Sequence, residues 1–193
     1  MKKDSLTDDK LHEIRKAISV EHKIIDLHSF NEEMTISQVV KFFEKNGYIF
    51  TKTMIQNYIR IGVLPSPVNK RNYTKNHLLL LALIYRLKTV FSLDEIKEVL
   101  MPILGENSTH GDDLIQTGRL CETYHALHTK ALSYWGESLP EDMVRINRFL
   151  KKEEGSIKDN NQVAKFMMVF TLMAQMAATK ELIDRITKEY LLK

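Results

Sequence analysis

Residues 62–74 read Gly-Val-Leu-Pro-Ser-Pro-Val-Asn-Lys-Arg-Asn-Tyr-Thr, and no helix can run through them. Pro65 and Pro67 lack a backbone N–H and push the residue before each into extended backbone. Gly62 tolerates the left-handed conformation that ends helices, and Asn69 and Asn72 favour turns. On both sides of this stretch, apolar residues recur at intervals of three and four, the helical period. Upstream, Met54, Ile55, Tyr58, Ile59 and Ile61 make one broad apolar side. Downstream, Thr74 caps a long apolar helix reaching about Val90. The order of parts is therefore helix, tight basic hairpin, helix.

Elsewhere, seven glycines and four prolines in 193 residues leave little to interrupt helix. Alternating β-branched runs are scarce, so the expected fold class is all-α. A helix over 5–28 puts Leu11, Ile14, Ala17 and Ile18 on one stripe. Thr35 with Gln38 forms a capping box opening a helix that turns Ile36, Val39, Val40 and Phe43 inward, ended by Asn46-Gly47. Thr51 caps the next helix, to about Ile61. Ser92 with Glu95 opens another, to about Leu100. The loop Leu104-Gly-Glu-Asn-Ser-Thr-His-Gly111 is the best domain boundary. Beyond it, helices are expected at 112–134, 140–152 and 162–192, broken at Trp135–Pro140 and Glu153–Asn161. The expected organisation is an N-terminal helix and linker (1–34), a central domain (35–104) and a C-terminal helical region (105–193).

Charge is unevenly spread. Between Thr35 and Lys88 nine Lys and Arg residues face one carboxylate, Glu44. The whole chain carries +3, so residues outside that window are net acidic. A basic module favours polyanions through release of their counterions. On the helix after Thr51, the side opposite the apolar one carries Lys52, Thr53, Gln56, Asn57 and Arg60, with no acid. Amides pair with adenine edges, Arg and Lys with guanine or phosphate, and a Thr methyl with thymine. The hairpin adds Lys70 and Arg71, whose reach suits phosphates, with Lys75 close behind. Tyr73 either bonds a phosphate or packs the hairpin onto the core.

Three motifs lie in this stretch: Tyr58-x-x-x-Gly62-Val-Leu-Pro65, Arg71-x-Tyr73-Thr74, and Phe91-Ser-Leu-Asp-Glu-Ile-Lys-Glu-Val-Leu100. With them, residues 35–100 resemble the MerR-type winged helix-turn-helix. The chain is closer still to an uncharacterised bacterial family with this head, known as domain of unknown function eighteen-thirty-six. The resemblance implies a winged helix-turn-helix head followed by a C-terminal helical bundle, acting as a homodimeric DNA-binding transcription regulator. It implies a recognition helix starting near Thr51, a wing that contacts phosphate through Arg71, and a segment from Ser92 that packs back on the wing. Double-stranded DNA is the expected partner, with Lys52, Thr53, Gln56, Asn57, Arg60, Lys70, Arg71, Tyr73 and Lys75 as contacts. The chain departs from the MerR pattern in three ways. Gln56 stands where arginine is usual, the Gly47–Thr51 connection is longer, and no clean heptad helix follows residue 100.

The last helix, from Val163 to Ala178, has one charge, Lys165, and four methionines, Met167, Met168, Met173 and Met176. Apolar residues occur all round it, so burial on several sides is expected, as a bundle core, a homodimer seam or a pocket for a small-molecule effector. Cys121, His125 and His128 share one helical face, a weak metal candidate because the spacing matches no standard zinc signature. No cofactor is expected. No nucleotide-binding, hydrolase or metalloprotease motif occurs, so no enzyme is expected. No uncharged apolar run of membrane length and no secretory leader is read, and the lone Cys121 cannot pair within the chain. A cytoplasmic setting without membrane contact is the expectation. Two other roles fit the sequence: an interaction adaptor that retains the winged shape, and a small-molecule or metal sensor acting through the C-terminal half.

Overall fold

The computed structural model describes residues 7–21, 33–104, 115–153 and 155–192. In chain order the helices are α1 (Asp8–Glu21), α2 (Ile36–Lys45), α3 (Lys52–Ile61), α4 (Lys75–Leu87), α5 (Leu93–Leu104), α6 (Thr117–Lys152) and α7 (Asn160–Ile186). A π-helical turn, Thr187–Leu191, follows α7. Among the described residues there is no strand, only two isolated antiparallel bridges, Met34 with Tyr73 and Val68 with Asn72. The all-α expectation therefore holds. Residues 5–6 and 22–28 of the first expected helix, residues 105–111 of the expected boundary loop and residues 112–114 of the helix expected after it lie outside the described residues.

Contacts divide the chain into two units. One comprises Ile24–His125 with Thr187–Lys193, the other Met1–Lys23 with Ala126–Ile186. The division falls later than the sequence placed it. The reason is that Leu120, Cys121 and Tyr124, at the start of α6, pack against the core of the first unit.

That core explains the local order of helices. Val39 and Phe43 of α2, Ile55 and Tyr58 of α3, Leu78, Leu80, Leu81 and Ile84 of α4, and Ile96 and Leu100 of α5 are all buried together. Burying each such side chain contributes roughly 1.5–3 kcal/mol. The caps read from sequence do form. Thr35 N–H donates to Gln38 Oε1 at 2.8 Å. Ser92 N–H donates to Glu95 Oε2 at 2.6 Å, and Glu95 N–H returns to Ser92 Oγ at 3.2 Å.

The second unit differs more from the sequence reading. The expected break at Trp135–Pro140 is absent, and α6 runs through Gly136 and Pro140 as one helix. Proline inside a helix removes one N–H and crowds the carbonyl four residues back. Here that residue is Gly136, which has no side chain to add to the crowding. Ser138 Oγ donates to Trp135 O at 3.1 Å, giving a carbonyl in the affected turn a side-chain partner. Among the described residues few are buried in this unit: Leu132 and Asp142, and a cluster of Ile146, Leu150, Ala164 and Met168 with Leu11, Leu139, Met143 and Met167 packed on it. The many-sided burial expected of α7 does not occur. Phe166, Val169, Phe170, Met173 and Met176 are each more than half exposed, and the Phe166 and Phe170 rings stack at 5.7 Å. By length and composition, Asn160–Leu191 could cross a membrane, a property hidden in the sequence by Lys165.

Candidate nucleic-acid interface

Ile55 and Tyr58 fix the rotation of α3 by entering the core. Lys52, Thr53, Gln56 and Arg60 are consequently exposed, and Asn57 is half-buried. Thr51 Oγ1 accepts from Met54 N–H at 3.1 Å, which orders the first turn under Lys52 and Thr53. Arg60 Nη2 donates to Asn57 Oδ1 at 2.7 Å. That bond takes the amide oxygen and leaves the amide N–H2 of Asn57 to donate outward. At the other end Gly62 caps the helix at φ 84°, with its N–H directed to Tyr58 O and Ile59 O. Lys97 of α5 donates from Nζ to Ile61 O at 2.8 Å, placing a cation at the negative end of α3.

The hairpin is closed by Val68 and Asn72, each N–H donating to the other's carbonyl at 2.8 Å. Asn69 and Lys70 sit at φ 51° and 60°, both left-handed. Arg71 N–H donates to Val68 O at 3.1 Å. Positive φ at two successive residues with that bond is the mirror-image turn suited to hairpins, where Asn is favoured first and Gly second. A lysine occupies the glycine position. Asn69, Lys70 and Arg71 are exposed at the tip.

The base of the hairpin is tied twice. Met34 N–H donates to Tyr73 O at 2.9 Å, and Tyr73 N–H to Met34 O at 2.7 Å. On the other side His77, fully buried, spans from Thr74 to Ser66. Its Nδ1 accepts from Thr74 N–H at 3.1 Å, so the ring proton sits on Nε2, which donates to Ser66 O at 3.2 Å. Burial pushes its pKa below the ordinary histidine value, outweighing the opposing effect of the Ser66 bond.

Two sequence expectations need correction here. Tyr73, expected among the contacts, is 3% exposed and packs edge-on against His77 with ring centroids 5.5 Å apart. Its hydroxyl is pushed above the usual range by burial. The ring serves as the hairpin's anchor and presents no phosphate ligand. The second concerns the absence of acid. Glu33, just outside the window in which charge was counted, accepts from Asn72 Nδ2 at 2.5 Å. Even so, among the described residues no carboxylate pairs with Lys52, Arg60, Lys70, Arg71 or Lys75. Lys75 is half-buried on the first turn of α4. Two cations of the basic window work internally instead: Arg86 donates to Tyr48 OH at 3.4 Å and Lys88 to Tyr58 OH at 3.2 Å.

Sequence reasoning missed His77, Lys97 and Glu33. The spacing Thr74-x-x-His77 is that of a capping box and carried the signal for His77; Lys97 and Glu33 act across 36 and 39 residues, where spacing says nothing.

The proposed face of Cys121, His125 and His128 does not behave as a ligand set. Cys121 Sγ is turned to Leu79 O at 3.7 Å, and burial foremost pushes its thiol up to about 11. Among the described residues no three His, Cys, Asp or Glu side chains are grouped to hold an ion. His110 and Asp113, the other ligands considered, lie outside the described residues.

Residues 22–124, just over half of the chain, match the family described as "Domain of unknown function (DUF1836)". No curated protein and no solved structure matches the chain.

Proposed function

The chain belongs to the DUF1836 family, and on that footing we propose that its central unit is a MerR-like winged helix-turn-helix that binds double-stranded DNA as a transcription regulator. In this reading α3 enters the major groove. Thr53, Gln56, Asn57 and Arg60 read or flank bases, while Lys52, Lys70, Arg71 and Lys75 hold phosphates. The hairpin is the wing, here closed by bridges rather than by strands. The observation that carries the reading is the two sets of exposed cations and amides, on α3 and at the hairpin tip, with no carboxylate among the described residues paired to those cations.

The protein acts as a homodimer, in the cytoplasm, and no catalytic step is assigned to it. The exposed apolar side of α7 supports self-association, because two-fold operators favour two-fold proteins. It equally suits a seat for an apolar effector, and the sensor role is compatible with DNA binding. One observation favours the adaptor reading instead: Glu33 against Asn72 puts a carboxylate at the hairpin.

Fluorescence anisotropy on genomic fragments over a salt series tests the proposal. Four phosphate contacts per protomer give a slope of log K against log salt of about −3.6. Asn57→Ala should change which sequences are preferred, and Lys70→Ala with Arg71→Ala should weaken all sequences alike. Binding that ignores salt, or no selected sequence together with a stable protein bound over α3, overturns it.

A further inference from the structure

Among the described residues from Glu33 to Leu104, Ile49 is the most exposed large apolar side chain, at 74%. A lone exposed isoleucine ordinarily signifies nothing. This one is held in place from both sides. Tyr48 packs edge-on to Phe43 at 5.4 Å and to Tyr85 at 5.1 Å. Phe50 packs on Phe43 at 4.6 Å and on Tyr58 at 6.5 Å. Tyr48 N–H also donates to Phe43 O at 2.9 Å, and Gly47, at φ 80°, makes the turn that precedes it. With both neighbours driven into the core, the backbone directs Ile49 outward. The same core takes up Ile55 and Tyr58, which is why Lys52, Thr53 and Gln56 also point away from it. Lys52 lies three positions after Ile49, a span of at most about 11 Å. A β-branched side chain on a pinned backbone has little rotamer freedom left to lose on contact.

We propose that Ile49 reads sequence by packing on the C5-methyl group of a thymine beside the first turn of α3. The inference rests on the DNA-binding reading above. A methyl is the apolar feature that thymine alone shows in the major groove, and aliphatic side chains recognise it. The cations beside Ile49 account for attraction to any duplex. Ile49 adds discrimination without charge.

The test couples a protein change to a base change. The full-length protein is bound to a duplex selected from a random pool, and each thymine in turn is replaced by deoxyuridine, which lacks only the methyl. One replacement per half-site should weaken the wild-type protein about 4-fold, the value of one buried methyl-sized group. Ile49→Ala should weaken binding to the unmodified duplex by a similar factor, lose its response to that deoxyuridine, and keep the wild-type salt slope and thermal midpoint. Ile49→Val should retain most of the coupling. Wild-type binding indifferent to every deoxyuridine, or Ile49→Ala still sensitive at the same position, overturns the inference while leaving the regulator reading intact. Absence of any DNA binding removes both.

Discussion

Replacing Lys70 with glycine separates the conformational demand of the hairpin tip from its electrostatic use. Lys70 lies at φ 60°, where an L side chain costs roughly 1–2 kcal/mol relative to glycine. Glycine removes that strain but gives the unfolded chain more freedom, returning roughly 0.4–1 kcal/mol. Lys70→Ala removes the charge and keeps the strain. Lys70→Gly should therefore be the more stable of the two by about 0.8 kcal/mol. Under the proposed DNA-binding role, both variants lose the same phosphate contact. At 0.1 M salt one contact with a slope of about 0.9 corresponds to about 8-fold in affinity per protomer. Urea unfolding measures the first difference, and anisotropy over a salt series the second. If Lys70→Gly unfolds earlier than Lys70→Ala, the strain argument fails. If neither variant alters the salt slope, Lys70 does not hold phosphate.

Protonating His77 requires Nδ1 to give up Thr74 N–H. Its folded pKa lies below the ordinary value, so the unfolded chain binds the proton more readily. Its stabilising contribution is complete above about pH 6.5 and declines as pH falls from there towards the lowered folded value. The urea midpoint should drop between pH 7.5 and 5.5, and His77→Gln should flatten that drop; an equal drop in the variant would assign it to other groups. Cys121, with its thiol pushed up to about 11, should react with iodoacetamide at pH 7.5 only in step with unfolding by urea. Fast labelling in native buffer would contradict its placement against Leu79. Phe170→Glu and Met173→Glu on the open side of α7 should convert a two-chain species to single chains in sedimentation. An unchanged mass would show that this side is not the seam.

Local signals proved readable where a few neighbouring residues decide the outcome. Thr35 with Gln38, Thr51 before α3, Ser92 with Glu95 and Gly62 after α3 mark helix ends through bonds made within four residues. The exposed set on α3 followed from its period alone, once Ile55 and Tyr58 were assigned inward. Long-range partners were not readable. Nothing near Glu33 announces Asn72, and nothing near Lys97 announces Ile61. Tyr73 was undecided in sequence because a tyrosine at a hairpin base serves equally as anchor or as donor; the bridge to Met34 and the ring of His77 decide it. Gly136 and Pro140 read as a break, yet α6 continues through both. The exposure of α7 escaped because composition reports how apolar a helix is, not how much of the chain is left to cover it.

The splice between Met34 and Tyr73 has a mechanical consequence. The tip carrying Lys70 and Arg71 is stitched to the segment leading into α2 on one side and bolted through His77 to α4 on the other. Swinging it away means unpicking both seams at once. A tip so fastened is a fixed part of this unit, held where α2 and α4 put it.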